Sequence, residues 1–290
     1  MNEPANAVQM PERLWRPIQE MALPYATTVG HGISWLTTQH VAIVGLARNC
    51  GGALAQNLER VMSFGQMAKS WRLHIEANDC VDNTLQVLTT FSQKNARVTF
   101  HYRDLGHAQF GAEFAGRRTE AMATHRTACQ KWVRSLTQQP DLVLVVDFDL
   151  WGGWNEHGLL NGIGWLKHMP EAFGMASVSL FQFNFGSGID WFHYDLWALR
   201  GVGQQDCYFD TYQKGYGAFG YTFTPPVGSP PVLVSSAFGG MAVYRAADYL
   251  AGTYDGSDCE HVPFHRSIAG TTGRRLYLCP GMRTAVTWMQ

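Results

Sequence analysis

Ten consecutive residues, Asp141-Leu-Val-Leu-Val-Val-Asp147-Phe148-Asp149-Leu150, limit what this chain can fold into more than any other stretch. Leu142 to Val146 are all apolar, and three of the five are valine. A strand that is apolar on both faces must be covered on both, as in a parallel sheet with helices above and below. The run leads straight into two carboxylates separated by one residue. Ligands of open α/β sheets lie beyond the carboxyl ends of the strands, so Asp147 and Asp149 are delivered to a ligand site. Two hard oxygen ligands suit Mg²⁺ or Mn²⁺, which keep waters and accept phosphate oxygens in their remaining positions. Asp-x-Asp alone is common in solvated turns; the strand in front of it gives it meaning here.

The preceding residues repeat a strand–helix alternation. Val41 to Gly45 reads as a short buried strand, and Leu46 to Gly52 as the loop after it. Leu54, Leu58, Val61, Met62 and Met67 give Ala53 to Trp71 a helical spacing, and Trp71 to Glu76 is a second strand. A polar turn, Asn78 to Thr84, leads to a helix beginning over Leu85 to Phe91 and a third strand over Arg97 to His101. Arg117 to Leu136 has neither proline nor glycine and places Met122, Cys129, Trp132 and Val133 on one helical face; Pro140 closes it. This predicts an α/β class, with a Rossmann-like, doubly wound, mostly parallel sheet and helices on both faces.

Beyond Trp151 glycines and aromatics thicken, and strands are expected at 232–235, 240–244, 275–279 and 284–288. The Gly- and Pro-rich loop from Gly201 to Pro231 has no pattern with a chemical reading. Residues 1–38 carry Pro11, Pro17 and Pro24 without a sustained period and read as an N-terminal extension that packs on the domain. Residues 39–290 read as one domain, with a ligand-binding half (39–150) and a mixed half (151–290) that shapes a second substrate site.

Bulk composition excludes several classes. Lys+Arg 22 against Asp+Glu 23 leaves a net charge of −1 and no basic stripe for nucleic acid. Six cysteines are widely spaced with no C-x-x-C pair, so neither a zinc site nor a redox motif is indicated. Met1 to Pro11 is polar and acidic, and no run approaches a membrane span. A soluble, cytoplasmic protein with reduced thiols is the expectation. The 10 Trp, 11 Tyr and 16 Phe suit rings that stack on sugars, and suit an ordinary large core equally.

Four groups of residues carry candidate chemistry. Arg48 follows the first strand, and Glu76 and Asp79 follow the second, on the same side as Asp147 and Asp149. An arginine supplies forked hydrogen bonds to a diphosphate, and a carboxylate accepts from a nucleobase; Asp79 and Asp82 are also plausible helix N-caps. Arg118 and Arg126 are eight apart and share a helix face, which could equally be a solvated basic face. The segment Asp190 to Arg200 combines Asp190, Asp195 and Arg200 with several aromatics, a composition that fits a sugar site or an amphipathic helix. Asp258 to Arg266 holds Glu260, His261 and His265, where a histidine could complete a carboxylate metal site.

In this order the segments resemble the fungal capsule-associated α-1,3-mannosyltransferases, glycosyltransferase family 69. Arg118-Thr-Glu-Ala-Met-Ala-Thr-His-Arg126-Thr127 matches that family's arginine-led helix, and Asp147-Phe148-Asp149 its acidic motif. Tyr194-Asp195-Leu196-Trp197-Ala198-Leu199-Arg200 is the most specific match, followed by Phe238-Gly239-Gly240-Met241-Ala242-Val243 and Glu260-His261-Val262-Pro263-Phe264-His265. The chain departs with Thr127 for asparagine, Phe238-Gly239 for Trp-Asn and His261-Val262 for paired cysteines.

The resemblance implies a GT-A fold, a nucleoside-diphosphate sugar donor (GDP-mannose first, a UDP-sugar second), a glycan or glycoconjugate acceptor, a divalent metal (Mn²⁺ or Mg²⁺) and transfer with retention. By it, Asp147 and Asp149 bind metal and diphosphate, His265 completes the metal site, and Glu260 and Asp195 face the reacting sugar; should the reaction invert, Glu260 is the candidate base. Two other classes stay open. One is a phosphohydrolase of the haloacid-dehalogenase type, with Asp147 as nucleophile and Asp149 as acid. The other is a carbohydrate-binding protein without catalysis.

Overall fold

The computed structural model describes residues 11–106, 110, 116–184, 189–205 and 219–286. Helix α1 (Gln19–Leu36) precedes strand β1 (His40–Ala47), followed by α2 (Gly51–Gln66), β2 (Ser70–Asn78), α3 (Thr84–Lys94) and β3 (Val98–Arg103). Helix α4 (Arg117–Ser135) then leads into β4 (Leu142–Asp147). The later half adds β5 (Gly153–Trp154), α5 (Glu156–His168), β6 (Ala172–Asn184), β7 (Ile189–His193), β8 (Val232–Val234) and β9 (Met241–Arg245). It closes with α6 (Ala246–Ala251), α7 (His261–Thr272) and β10 (Arg275–Ala285).

The strands form one sheet in the order β3-β2-β1-β4-β9-β6-β10-β5, with β7 beside β6 and β8 beside β10. The first four in that order are mutually parallel, and β9 runs antiparallel between β4 and β6. A doubly wound front thus continues into a mixed back half.

β4 is buried as its composition requires, and its side chains divide by parity. Leu142, Leu144 and Val146 join the core beneath α1, α2, α3 and α5, whereas Val143 and Val145 join the core beneath α4, α6 and α7. The same split runs through β1, with Val41 and Ile43 on the first side and Ala42 and Val44 on the second. Period-two alternation across a sheet covered on both faces produces two cores rather than one face in water.

The N-terminal segment holds a helix that its prolines and glycines conceal. α1 carries Pro24 within it and packs along α5. Gly32 lies against the carbonyl of Leu160, and Gly164 against that of Thr28, so each helix offers a glycine where the other's backbone comes close. β10 is likewise a single strand where two were expected, with a break in its pairing to β6 between Leu278 and Arg283. Residues 287–288 of that expectation, and residues 206–218 of the loop from Gly201 to Pro231, lie outside the described residues.

Candidate active site

Because β1, β2 and β4 are parallel, their carboxyl ends open on one side of the sheet. Arg48 and Asn49 after β1, Glu76 and Asn78 at the end of β2, Asp147 at the end of β4 and Asp149 just beyond it line a cleft of about 340 Å³ there. β9 runs the other way, so its starting end, with Phe238 and Gly240, faces the same cleft. α4 contributes Arg118, His125 and Arg126, the turn after β7 contributes Tyr194, Asp195 and Trp197, and the start of α7 contributes Glu260 and His261.

The acidic turn is fixed from behind. Phe148 points inward and is fully buried, its ring lying where a side chain on Gly45 would be. The Asn57 amide on α2 donates to the carbonyls of Phe148 (3.0 Å) and Leu150 (2.9 Å). The Asp147 amide donates to the Gly240 carbonyl at 2.8 Å. Alternation then leaves both carboxylates on the cleft side. Asp149 keeps solvent contact at the mouth while protein crowds it; this crowding and the charge on Asp147 push its carboxyl up to about 6.

Arg126 is the hub of the inner wall. It is 1% exposed, and its Nη2 donates to Asp147 Oδ1 while Nε reaches Glu260 Oε1 at 3.5 Å. Its guanidinium lies over the Phe238 ring, 4.9 Å from the centroid, and its Nη1 has no hydrogen-bond partner among the described residues. Burial works against its charge, yet the Asp147 and Glu260 carboxylates outweigh that and raise it further above the ordinary arginine value. Arg118, two turns earlier, lies over Trp197 at 4.9 Å. The shared face predicted from the eight-residue step is the face that looks into the cleft.

The remaining acids differ in how far they are satisfied. Burial pushes Glu260 up, opposed by Arg126. Burial likewise raises Asp195, although Asp195 accepts from the Gly239 amide (2.7 Å) and the Ala198 amide (3.3 Å). Glu76 accepts from His74, His101 and Arg103, each at 3.2 Å. Burial opposes its charge too, but the bonds from His74 and His101 prevail and hold it below the ordinary glutamate value.

Four expected site residues lie away from the cleft lining. Asp79, at φ 46°, accepts from the Asn78 side chain and from the amides of Leu105 and Gly106, and so organises its own loop. Asp82, not Asp79, serves the helix starts, accepting from Gly51 and Thr84 amides at 2.9 Å each. Asp190 is exposed on β7 and accepts from the next amide. Arg200 is 2% exposed and grips Asp258 with two bonds (2.8 and 3.0 Å) and the carbonyls of Trp197, Leu199 and Gln205. His265 sits in the core, with Nδ1 bonded to Ser236 Oγ and Nε2 to Tyr244 Oη, both at 2.9 Å. Trp151, His125 and the aromatic wall of Tyr194, Trp197 and Phe238 line the cleft without having been assigned a role from sequence; only their position after β4 or within the motifs marked them.

The carboxylate pair fits a hard divalent cation: it puts two oxygen donors on one turn, where burial and the charge on Asp147 work against the charge on Asp149. Among the described residues no third histidine, cysteine or carboxylate joins them to complete an all-protein metal site. Phosphate oxygens and water would supply the other positions.

No protein-family model matches the chain, and no curated protein matches it. Among solved structures, GalNAc-T7 with UDP, GalNAc and Mn²⁺ superposes with a TM-score of 0.50 at 10% identity, over 99% of this chain and 56% of that one. The mannosyltransferase PcManGT from Pyrobaculum calidifontis, in complex with GDP-Man and Mn²⁺, gives 0.48 at 10% identity, over 92% of this chain and 65% of that one. S. aureus TarS with UDP-GlcNAc gives 0.48 at 12%, over 87% and 59%. The fold is that of the GT-A glycosyltransferases, and this chain spans only part of the length of these relatives. No helix among the described residues is long and apolar enough to cross a membrane.

Proposed function

We propose that this chain is a glycosyltransferase that moves a hexose from a nucleoside-diphosphate sugar to a glycan or glycoconjugate acceptor, dependent on Mn²⁺ or Mg²⁺. Mannose from GDP-mannose is the favoured donor, a UDP-sugar the second, and retention the favoured outcome. The observation that carries this reading is the pair Asp147 and Asp149 at the end of the central strand, set opposite Arg118 and Arg126 in one cleft. Such a cleft meets the main demand of the reaction, which is to neutralise charge gathering on a departing diphosphate. A divalent ion held by Asp149 and Asp147 would act there as the Lewis acid. Arg126 adds a fixed positive charge and a terminal nitrogen, Nη1, without a partner among the described residues on the same wall. By this reading Arg48 and Glu76, which line the cleft at the ends of β1 and β2, contact the nucleoside. By this reading Glu260 and Asp195, which line the same cleft and are both displaced upward by burial, face the sugar.

The phosphohydrolase alternative gains nothing from this arrangement, since the proposed nucleophile Asp147 is already paired with Arg126. Calorimetric titration of GDP and then UDP, with and without Mn²⁺, tests the reading. Mn²⁺-dependent binding of one nucleotide is expected, and the Asp147→Ala/Asp149→Ala double variant should lose it by a factor of about a hundred or more, as expected when charge-assisted contacts to a ligand are removed. Absence of binding to either nucleotide with metal present would sink it.

A further inference from the structure

Among the described strands β7 pairs with β6 alone, antiparallel, with Phe181 opposite Phe192 and Phe183 opposite Asp190. Side chains of the pair alternate between two faces. Leu180, Trp191 and His193 take one face and are buried. The face away from the core of such an antiparallel pair is normally polar. Here it carries Phe181, Phe183, Phe192 and, just past the end of β7, Tyr194. Phe183 is 48% exposed and Tyr194 37%, while Phe181 and Phe192 are half-buried. The rings form one continuous row, with the centroid of Phe181 5.7 Å from Tyr194, 6.2 Å from Phe192 and 6.0 Å from Phe183.

The row begins in the cleft. Tyr194 lines it together with Asp147 and Asp149, so whatever lies along these rings has one end beside the acidic turn. From Tyr194 to Asp190, which is exposed at the far end of the same face, the row is four residues long, roughly 13 Å along a strand. That exceeds the length of a single sugar ring. Flat aromatic faces suit the C–H faces of pyranoses, and a carboxylate at the end of the row accepts from hydroxyls. A membrane surface is served differently, by Lys and Arg beside the aromatics. This face has neither, and its one charged residue is acidic.

We infer that the outer face of the β6–β7 hairpin binds the acceptor, and that the acceptor is a glycan of several sugars whose rings stack on Tyr194, Phe181 and Phe183 while its end reaches the cleft. This rests on the transferase reading above. The test is to titrate wild type, Phe183→Leu and Phe183→Trp with GDP, mannose, mannotriose and maltotriose in Mn²⁺, and to record Tm without ligand. Leucine keeps an apolar side chain and removes the flat ring, whereas tryptophan keeps a flat ring. Leu23→Ala on α1, where Leu23 is 77% exposed, controls for the loss of an exposed apolar group elsewhere.

The expected result is that wild type binds at least one trisaccharide about tenfold more tightly than mannose. Phe183→Leu should weaken that trisaccharide by about threefold to tenfold, the scale of one aromatic stacking contact, and leave GDP and mannose within about twofold. Phe183→Trp and Leu23→Ala should bind like wild type. Trisaccharide affinity unchanged in Phe183→Leu would overturn the inference, and so would a wild type that binds GDP but neither trisaccharide. Binding of phosphatidylcholine–phosphatidylglycerol vesicles that Phe183→Leu retains and Phe183→Asp abolishes, in a protein that binds no glycan, would assign the face to a membrane instead. Failure of wild type to bind GDP or UDP would overturn the transferase reading itself.

Discussion

Arg126 in the cleft and Arg200 in the turn after β7 are 1% and 2% exposed, and each is bound to an aspartate. Their surroundings differ in one respect. Arg200 has both oxygens of Asp258 and three backbone carbonyls around its guanidinium. Arg126 has Asp147 and a long contact to Glu260, and one of its terminal nitrogens has no hydrogen-bond partner among the described residues. A saturated buried cation fastens the chain to itself, whereas an unsaturated one beside a cleft has capacity left for a ligand. By that measure Tyr194 to Arg200, the most distinctive motif of the sequence, works mainly as a fastener. Its Arg200 ties the turn to Asp258, and its Asp195 ties the same turn to Gly239 and Ala198.

Truncating each arginine breaks or sustains this contrast. Arg200→Ala should destabilise the fold by about 3 kcal/mol or more, since it strands buried carbonyls and Asp258 together. Mn²⁺-dependent nucleotide binding by the molecules that remain folded should stay near wild type; denaturant unfolding beside calorimetry separates the two. Arg126→Ala should cost less stability, because Asp147 keeps contact with solvent and the bond to Glu260 is long at 3.5 Å. It should weaken nucleotide binding by about tenfold to a hundredfold, the scale of a hydrogen bond to a charged group. Equal stability losses with equal binding losses would erase the distinction.

Glu76 sharpens the contrast from the other side, because it lines the cleft yet is saturated by His74, His101 and Arg103. Its folded-state pKa lies below the ordinary 4.5, so its charge contributes stability that is present above pH 4.5 and lost as pH falls through the folded value. Glu76→Gln should lower stability by about 1–2 kcal/mol at neutral pH and flatten the acid limb of the stability curve below pH 4.5. Its effect on nucleotide affinity should be smaller than that of Arg126→Ala; a variant of unchanged stability with a larger loss of affinity would erase the contrast between saturated and unsaturated groups.

Legibility in the sequence followed where the determining interactions were local. The run Leu142 to Val146 declares a strand covered on both faces, and the eight-residue step from Arg118 to Arg126 declares a shared helix face; neither needs a partner to be recognised. α5 was hidden because Gly158, Gly162 and Gly164 look like helix breakers, yet each is where Gly281, Met282 or Thr28 packs closest. β6 was hidden because Ser177 and Ser179 interrupt its apolar run. Ser177 donates to the carbonyls of Phe238 and Gly239, and Ser179 accepts from the Asp195 amide, partners far away in the chain. The same holds within the site. Glu260 and Asp195 could be picked out as carboxylates in motifs, but whether a given arginine or histidine was saturated depended on residues from other elements.

The amide of Asn57, reaching from α2 to the carbonyls of Phe148 and Leu150, has a kinetic consequence. The turn that carries both aspartates is held at two of its carbonyls from the protein side, without help from a ligand. An incoming anion or cation therefore need not order this turn on landing, and contact energy is not diverted to folding it. Capture should accordingly be governed by diffusion and charge, with on-rates that fall as ionic strength rises and show no slow second phase.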